Sequence, residues 1–171
     1  CVDSSAGFAV SGHSFGGYTT FVMAGAQVHD PFGDSLLNLG DERVWAALAL
    51  APWDVDGVIT TETMGSVDVP VMTLSGRQDE NTTWAQVTSL QDGLVVENQY
   101  LGEFPLAGHS SFAPVACQLF TDEDGCGEAF IDEESFTRLV RTAGLVFLES
   151  VQGVDGAIDQ LCAAQSLELG H

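Results

Sequence analysis

Six residues near the start of the chain, Gly12-His13-Ser14-Phe15-Gly16-Gly17, leave few folds open. They satisfy the pattern G-x-S-x-G and sit between two different kinds of apolar segment. Residues 7–12 are a short apolar run bounded by glycines, as expected of a buried strand. Residues 15–28 carry Phe15, Tyr18, Phe21, Val22, Ala24, Ala26 and Val28, which suits a packed helix. A strand that becomes a helix across one serine strains that serine's backbone. Small residues at Gly12 and Gly16 are expected to let neighbouring backbone pass. Ser14 would then project its hydroxyl above the sheet, with the first amides and the dipole of the helix aimed at charge developing there.

The remaining segments alternate in the same way. Residues 44–51 (VWAALALA) form a second buried run, stopped by Pro52, and 53–68 are irregular with a helical turn. Residues 69–75 read as a third strand, 82–92 as a helix capped near Asn81, and 95–104 as a fourth strand. A long amphipathic helix is expected over 131–151 and a further helical segment over 157–167, whereas 29–42 read as a polar loop. Strands alternating with helices predict an α/β fold with a mainly parallel sheet, in one domain spanning 1–171.

Composition excludes several classes of partner. The chain has 25 Asp and Glu against four basic residues, all arginine, for a formal net charge of -21. Nucleic acid is disfavoured, because binding polyphosphate needs cationic side chains that release counterions. No apolar run approaches the roughly 20 residues that span a bilayer. The 45% of hydrophobic residues can build a sizeable core, so the charge does not imply disorder. A lysine-free acidic surface suits a salty habitat, where salt screens self-repulsion, or simply an acidic secreted protein.

A serine at its own pKa is a poor nucleophile and needs a base. Of four histidines, His13 lies inside the turn, His29 beyond the first helix, and His171 is the last residue. His109 follows the final strand in Ala107-Gly108-His109-Ser110-Ser111-Phe112 and is the candidate base. That base needs a carboxylate to fix its tautomer and stabilise the imidazolium. Asp79, just past the third strand, is the first candidate; Asp54, Asp56 and Glu80 compete. The chain order serine, acid, histidine is that of one superfamily of hydrolases.

The segments GHSFGG, VPVMTLSGRQD and FPLAGHSSF resemble the nucleophile, acid and histidine segments of the α/β-hydrolase superfamily. The nearest likeness is to dienelactone-hydrolase-like and platelet-activating-factor-acetylhydrolase-like serine esterases and lipases. The resemblance implies carboxylic ester hydrolysis through Ser14, Asp79 and His109, with the Phe15 amide in the oxyanion hole and no cofactor or metal. The expected substrate is a small ester or lipid. Gly17-Tyr18 is also similar to prolyl-oligopeptidase-type peptidases, which leaves peptide cleavage as an alternative, and an inactive binding domain on the same fold as another. The elbow strand comes so early that the resemblance implies an incomplete domain. A separate N-terminal polypeptide would complete the sheet and supply the second oxyanion amide.

Four cysteines complete the reading. Cys117 and Cys126 flank a short turn-rich stretch and suggest a local disulfide, hence a secreted or periplasmic location. Cys1 pairs either with Cys162 or with the partner chain. The acidic stretch around Asp122, Glu123 and Asp124 fails the EF-hand pattern and reads as a solvated loop held by that disulfide.

Overall fold

The computed structural model describes residues 6–30, 32–119, 124–154, 156, 157 and 159. Four strands form one parallel sheet in the order β1 (Phe8–His13), β4 (Val44–Leu50), β5 (Val71–Gly76) and β6 (Gln99–Phe104). Every residue of β5 is buried, as its place between two strands and under two helical layers requires. Parallel neighbours need crossovers, and these are supplied by α1 (Phe15–Met23), α2 (Thr61–Met64) and α3 (Trp84–Asp92).

Two apolar layers sandwich the sheet. One joins Phe21 of α1, Met64 of α2 and Leu90 of α3 to Val44, Ala47, Ala49 and Val71. The other packs Ala143 and Phe147 of the long helix α5 (Glu133–Val151) on Ala46, Met72 and Leu74. Asp132 caps α5 through the Ser135 amide at 2.9 Å. Among the described residues no helix is long and apolar enough to cross a membrane.

The structure departs from the sequence expectations at several points. The first helix stops at Met23 rather than near residue 28, and the next residues pair as an antiparallel hairpin, β2 (Gln27–His29) with β3 (Leu36–Asn38). Gly25, at φ 109°, makes the break. The cap of α3 is Thr83, which exchanges bonds with Gln86; Asn81 instead turns its amide to Asp79. The fourth strand begins at Gln99, since Val95 is exposed. Residues after the histidine turn, to which the sequence reading assigns no element, form a short helix, α4 (Pro114–Leu119). The segment 157–167 lies almost entirely outside the described residues, as do Cys1 and Cys162.

Because all four strands run the same way, their C-terminal ends share one edge of the sheet. Ser14 follows β1, Ala51 follows β4, Asp79 lies three residues past β5, and His109 lies five past β6. Open parallel sheets bind ligands at that edge.

Candidate active site

Ser14 occupies the turn between β1 and α1 with φ 59° and ψ -117°, a left-handed value that a side chain tolerates only under constraint. The constraint is visible on both sides. The Ser14 amide donates to Leu50 O at 3.0 Å, and Ser14 O accepts from the Tyr18 and Trp53 amides at 3.1 and 3.2 Å. A Cβ on Gly12 would collide with the Gly16 carbonyl, and one on Gly17 would come within 2.7 Å of Pro52 Cα. Gly16 itself faces open space. The close approaches therefore demand glycine at 12 and 17, and the expectation for the Gly16 side chain is corrected: its backbone is what presses on Gly12.

Three residues far apart in sequence meet at this point. His109 Nε2 lies 2.9 Å from Ser14 Oγ, and His109 Nδ1 lies 2.9 Å from Asp79 Oδ2. Asp79 is 4% exposed, which for a carboxylate demands partners. Its Oδ1 accepts the Asn81 and Thr82 amides at 2.9 and 2.6 Å, and its Oδ2 accepts the Thr82 hydroxyl at 2.8 Å. Three donors besides the imidazole fix the carboxylate on the histidine side. Such an array holds Nδ1 protonated and leaves Nε2 free to accept the serine proton. Of the competing acids, Asp54 is engaged with the Asp56 amide at 3.1 Å, and Glu80 offers its backbone amide to Asp124 at 2.7 Å. None of Asp54, Asp56 and Glu80 makes a side-chain hydrogen bond to His109 among the described residues.

Two contributors were not legible in the sequence. Thr82 bridges the acid loop to the end of β4, with its hydroxyl 3.2 Å from Ala51 O and 3.3 Å from His109 Nδ1. His13 packs its ring 4.5 Å from that of His109 and 6.0 Å from Phe112, with Nε2 buried and unpartnered. Burial, and then the charge of His109 beside it, push its pKa down to about 4. It therefore stays neutral beside the His109 ring.

The disulfide expected from spacing joins Cys117 to Cys126. The acidic loop is not merely solvated, however. Asp124 is half-buried and turned toward the site, whereas Asp122 and Glu123 lie outside the described residues. Beside Ser14, Phe15 is 55% exposed and packs 5.2 Å from Tyr18 and 6.3 Å from Trp53, an aromatic surface at the mouth of the site. Trp84 lies under Arg77, whose guanidinium is 5.6 Å over its ring. No group of side chains able to hold a metal ion occurs among the described residues.

No protein-family model matches this chain, and no curated protein matches it in sequence. Solved structures do match in fold. An esterase domain from Rhodothermus marinus superposes with a TM-score of 0.50 at 10% identity, over 79% of this chain and 57% of that one. A mutant puromycin hydrolase complexed with PGG gives a TM-score of 0.50 at 17% identity, over 86% of this chain and 22% of that one. A truncated carbohydrate esterase from gut microbiota gives 0.47 at 15% identity, over 88% and 61% respectively. The chain thus spans from about a fifth to three-fifths of these structures.

Proposed function

We propose that this chain, whose fold is that of the α/β-hydrolases from the nucleophile strand onward, carries the catalytic residues of a serine hydrolase acting on carboxylic esters. The observation that supports this most is the unbroken relay from Ser14 Oγ through both nitrogens of His109 to buried Asp79. In this reading His109 takes the serine proton as Ser14 Oγ attacks the ester carbonyl carbon. The proton passes to the departing alcohol, leaving an acyl-enzyme. Water then attacks that acyl group, with His109 again as base, and acid is released. Asp79 keeps its charge throughout and stabilises the imidazolium. The Phe15 amide, first in α1, donates to the oxyanion with the helix dipole behind it.

A small ester or lipid fits the aromatic surface of Phe15 and Trp53. Peptide cleavage is the second reading, favoured by Gly17-Tyr18, and the ratio of rates on a p-nitrophenyl ester and a peptide anilide separates the two. If the complete protein with Ser14→Ala kept near-native ester hydrolysis, both readings would fail.

The far edge of β1 carries no strand among the described residues, and Phe8 and Val10 of that strand are only partly buried against the core. An apolar strand edge of this kind invites pairing. An N-terminal polypeptide, on the same chain or another, fills it in our reading and brings the second oxyanion amide. Loss of one oxyanion donor typically lowers the rate about a hundred- to a thousandfold. Residues 1–171 alone should therefore hydrolyse esters that much more slowly than the completed protein. A secreted or periplasmic location is supported by the Cys117–Cys126 disulfide, and a saline setting by the net charge of -21.

A further inference from the structure

We propose that Asp124 is a positioning residue, tying the loop that carries Asp79 to the loop that carries His109, and that the Cys117–Cys126 disulfide holds it there. The inference rests on the serine-hydrolase reading for its kinetic consequence, though not for its geometry. At their bases the two loops are already joined, the Gln78 amide donating to Ala107 O at 3.1 Å. Beyond that point the loops also meet through Asp79 and Thr82 at His109, and Asp124 adds a link on the far side of that contact. Its Oδ2 accepts the Glu80 amide at 2.7 Å and lies 3.5 Å from Asn81 Nδ2, one and two residues past Asp79. Its backbone carbonyl accepts the Ser110 amide at 2.7 Å, one residue past His109.

The fit is close. A Cβ on Gly108 would overlap Asp124 Oδ1, so only glycine before His109 admits the carboxylate. The next residues continue the clasp, because the Ser111 hydroxyl donates to Gly125 O at 3.2 Å while accepting the Gly108 amide at 3.1 Å. Cys126 then anchors the segment to α4, which follows directly from the histidine turn. One side chain and one carbonyl of the same residue thus fix the spacing of acid and base. Misplacing catalytic groups by about 1 Å can lower a rate roughly a hundredfold.

The test compares Asp124→Ala with Asp124→Asn in the complete protein, reading kcat and KM on a p-nitrophenyl ester and amide hydrogen exchange at Glu80 and Ser110. Asp124→Ala should lower kcat about a hundredfold with KM nearly unchanged. Asp124→Asn keeps an acceptor for Glu80 and should stay within a few-fold of wild type. In Asp124→Ala both amides should exchange faster, including Ser110, whose own acceptor is backbone and survives the substitution. Wild type reduced with dithiothreitol should show the same paired increase, which decides the matter if Asp124→Ala does not fold. Wild-type kcat in Asp124→Ala, or faster exchange at Glu80 alone, would overturn the proposal. Should Ser14→Ala remain active, the serine reading fails, and the exchange data still judge the tie between loops.

Discussion

The two ends of the sheet use carboxylates in opposite ways. At the C-terminal edge Asp79 is buried, with three donors and an imidazole around it. At the N-terminal edge Asp41 sits in the open turn before β4, paired with Arg43 at 2.6 Å. The Arg43 hydrogen bonds hold the pKa of that carboxyl at about 2, and among the described residues its side-chain partner is Arg43 alone. Among 25 acidic residues, then, acidity and a cationic neighbour say little about chemistry. Burial at the end of a parallel strand, facing a histidine, says much more.

Exchanging each carboxylate for an amide breaks this contrast most sharply. Asp79→Asn should lower kcat by about four orders of magnitude, because the amide favours the wrong imidazole tautomer. Asp41→Asn should leave kcat unchanged. Equal losses in steady-state kinetics would mean that the ends do not differ as described. A smaller effect is expected from Thr82→Val, which removes one hydroxyl from the Asp79 array. A single hydrogen bond of this kind is worth about 1 kcal/mol, so kcat should fall roughly threefold to tenfold.

Acid should also reach the two ends at different pH. His13 has a folded pKa of about 4 against an ordinary 6.5. The unfolded chain binds its proton first, so its stabilising contribution is complete above pH 6.5 and disappears as pH falls toward 4. Asp41, shifted from 3.8 to about 2, gives up its contribution only as pH falls through that lower window. The melting temperature of His13→Gln should therefore depend less on pH between about 4 and 6.5 than that of wild type, whereas Arg43→Gln should change the slope only below about pH 4. An unchanged slope in His13→Gln would deny that the histidine is buried neutral. The smallest effect is that of salt. With a net charge of -21, added sodium chloride should raise the melting temperature by screening self-repulsion. A flat response from low salt to about 1 M would remove the reason to invoke a saline habitat.

The site end was the more legible of the two. Residues 44–51 and 69–75 announce themselves as strands because a fully covered parallel sheet needs continuous apolar runs. Ser14, Asp79 and His109 could be chosen because each lies just past such a run, and the structure brings all three together. The β2–β3 hairpin was missed because strands of three residues carry no usable periodicity, and its Leu36 and Leu37 are partly exposed. Thr82, His13 and Asp124 were missed for a different reason. Their roles arise from partners on distant segments, and an aspartate in an acid-rich loop looks like any other solvated charge. Gly108, which leaves room for Asp124, was the only trace of that contact in the sequence.

The central claim is that Ser14 is a nucleophile activated by His109. It is tested most directly by incubating the complete protein with a fluorophosphonate and locating the adduct by peptide mass spectrometry. The account predicts a single adduct on Ser14, abolished in His109→Ala. Failure to label, or labelling of another residue with Ser14 untouched, would contradict it.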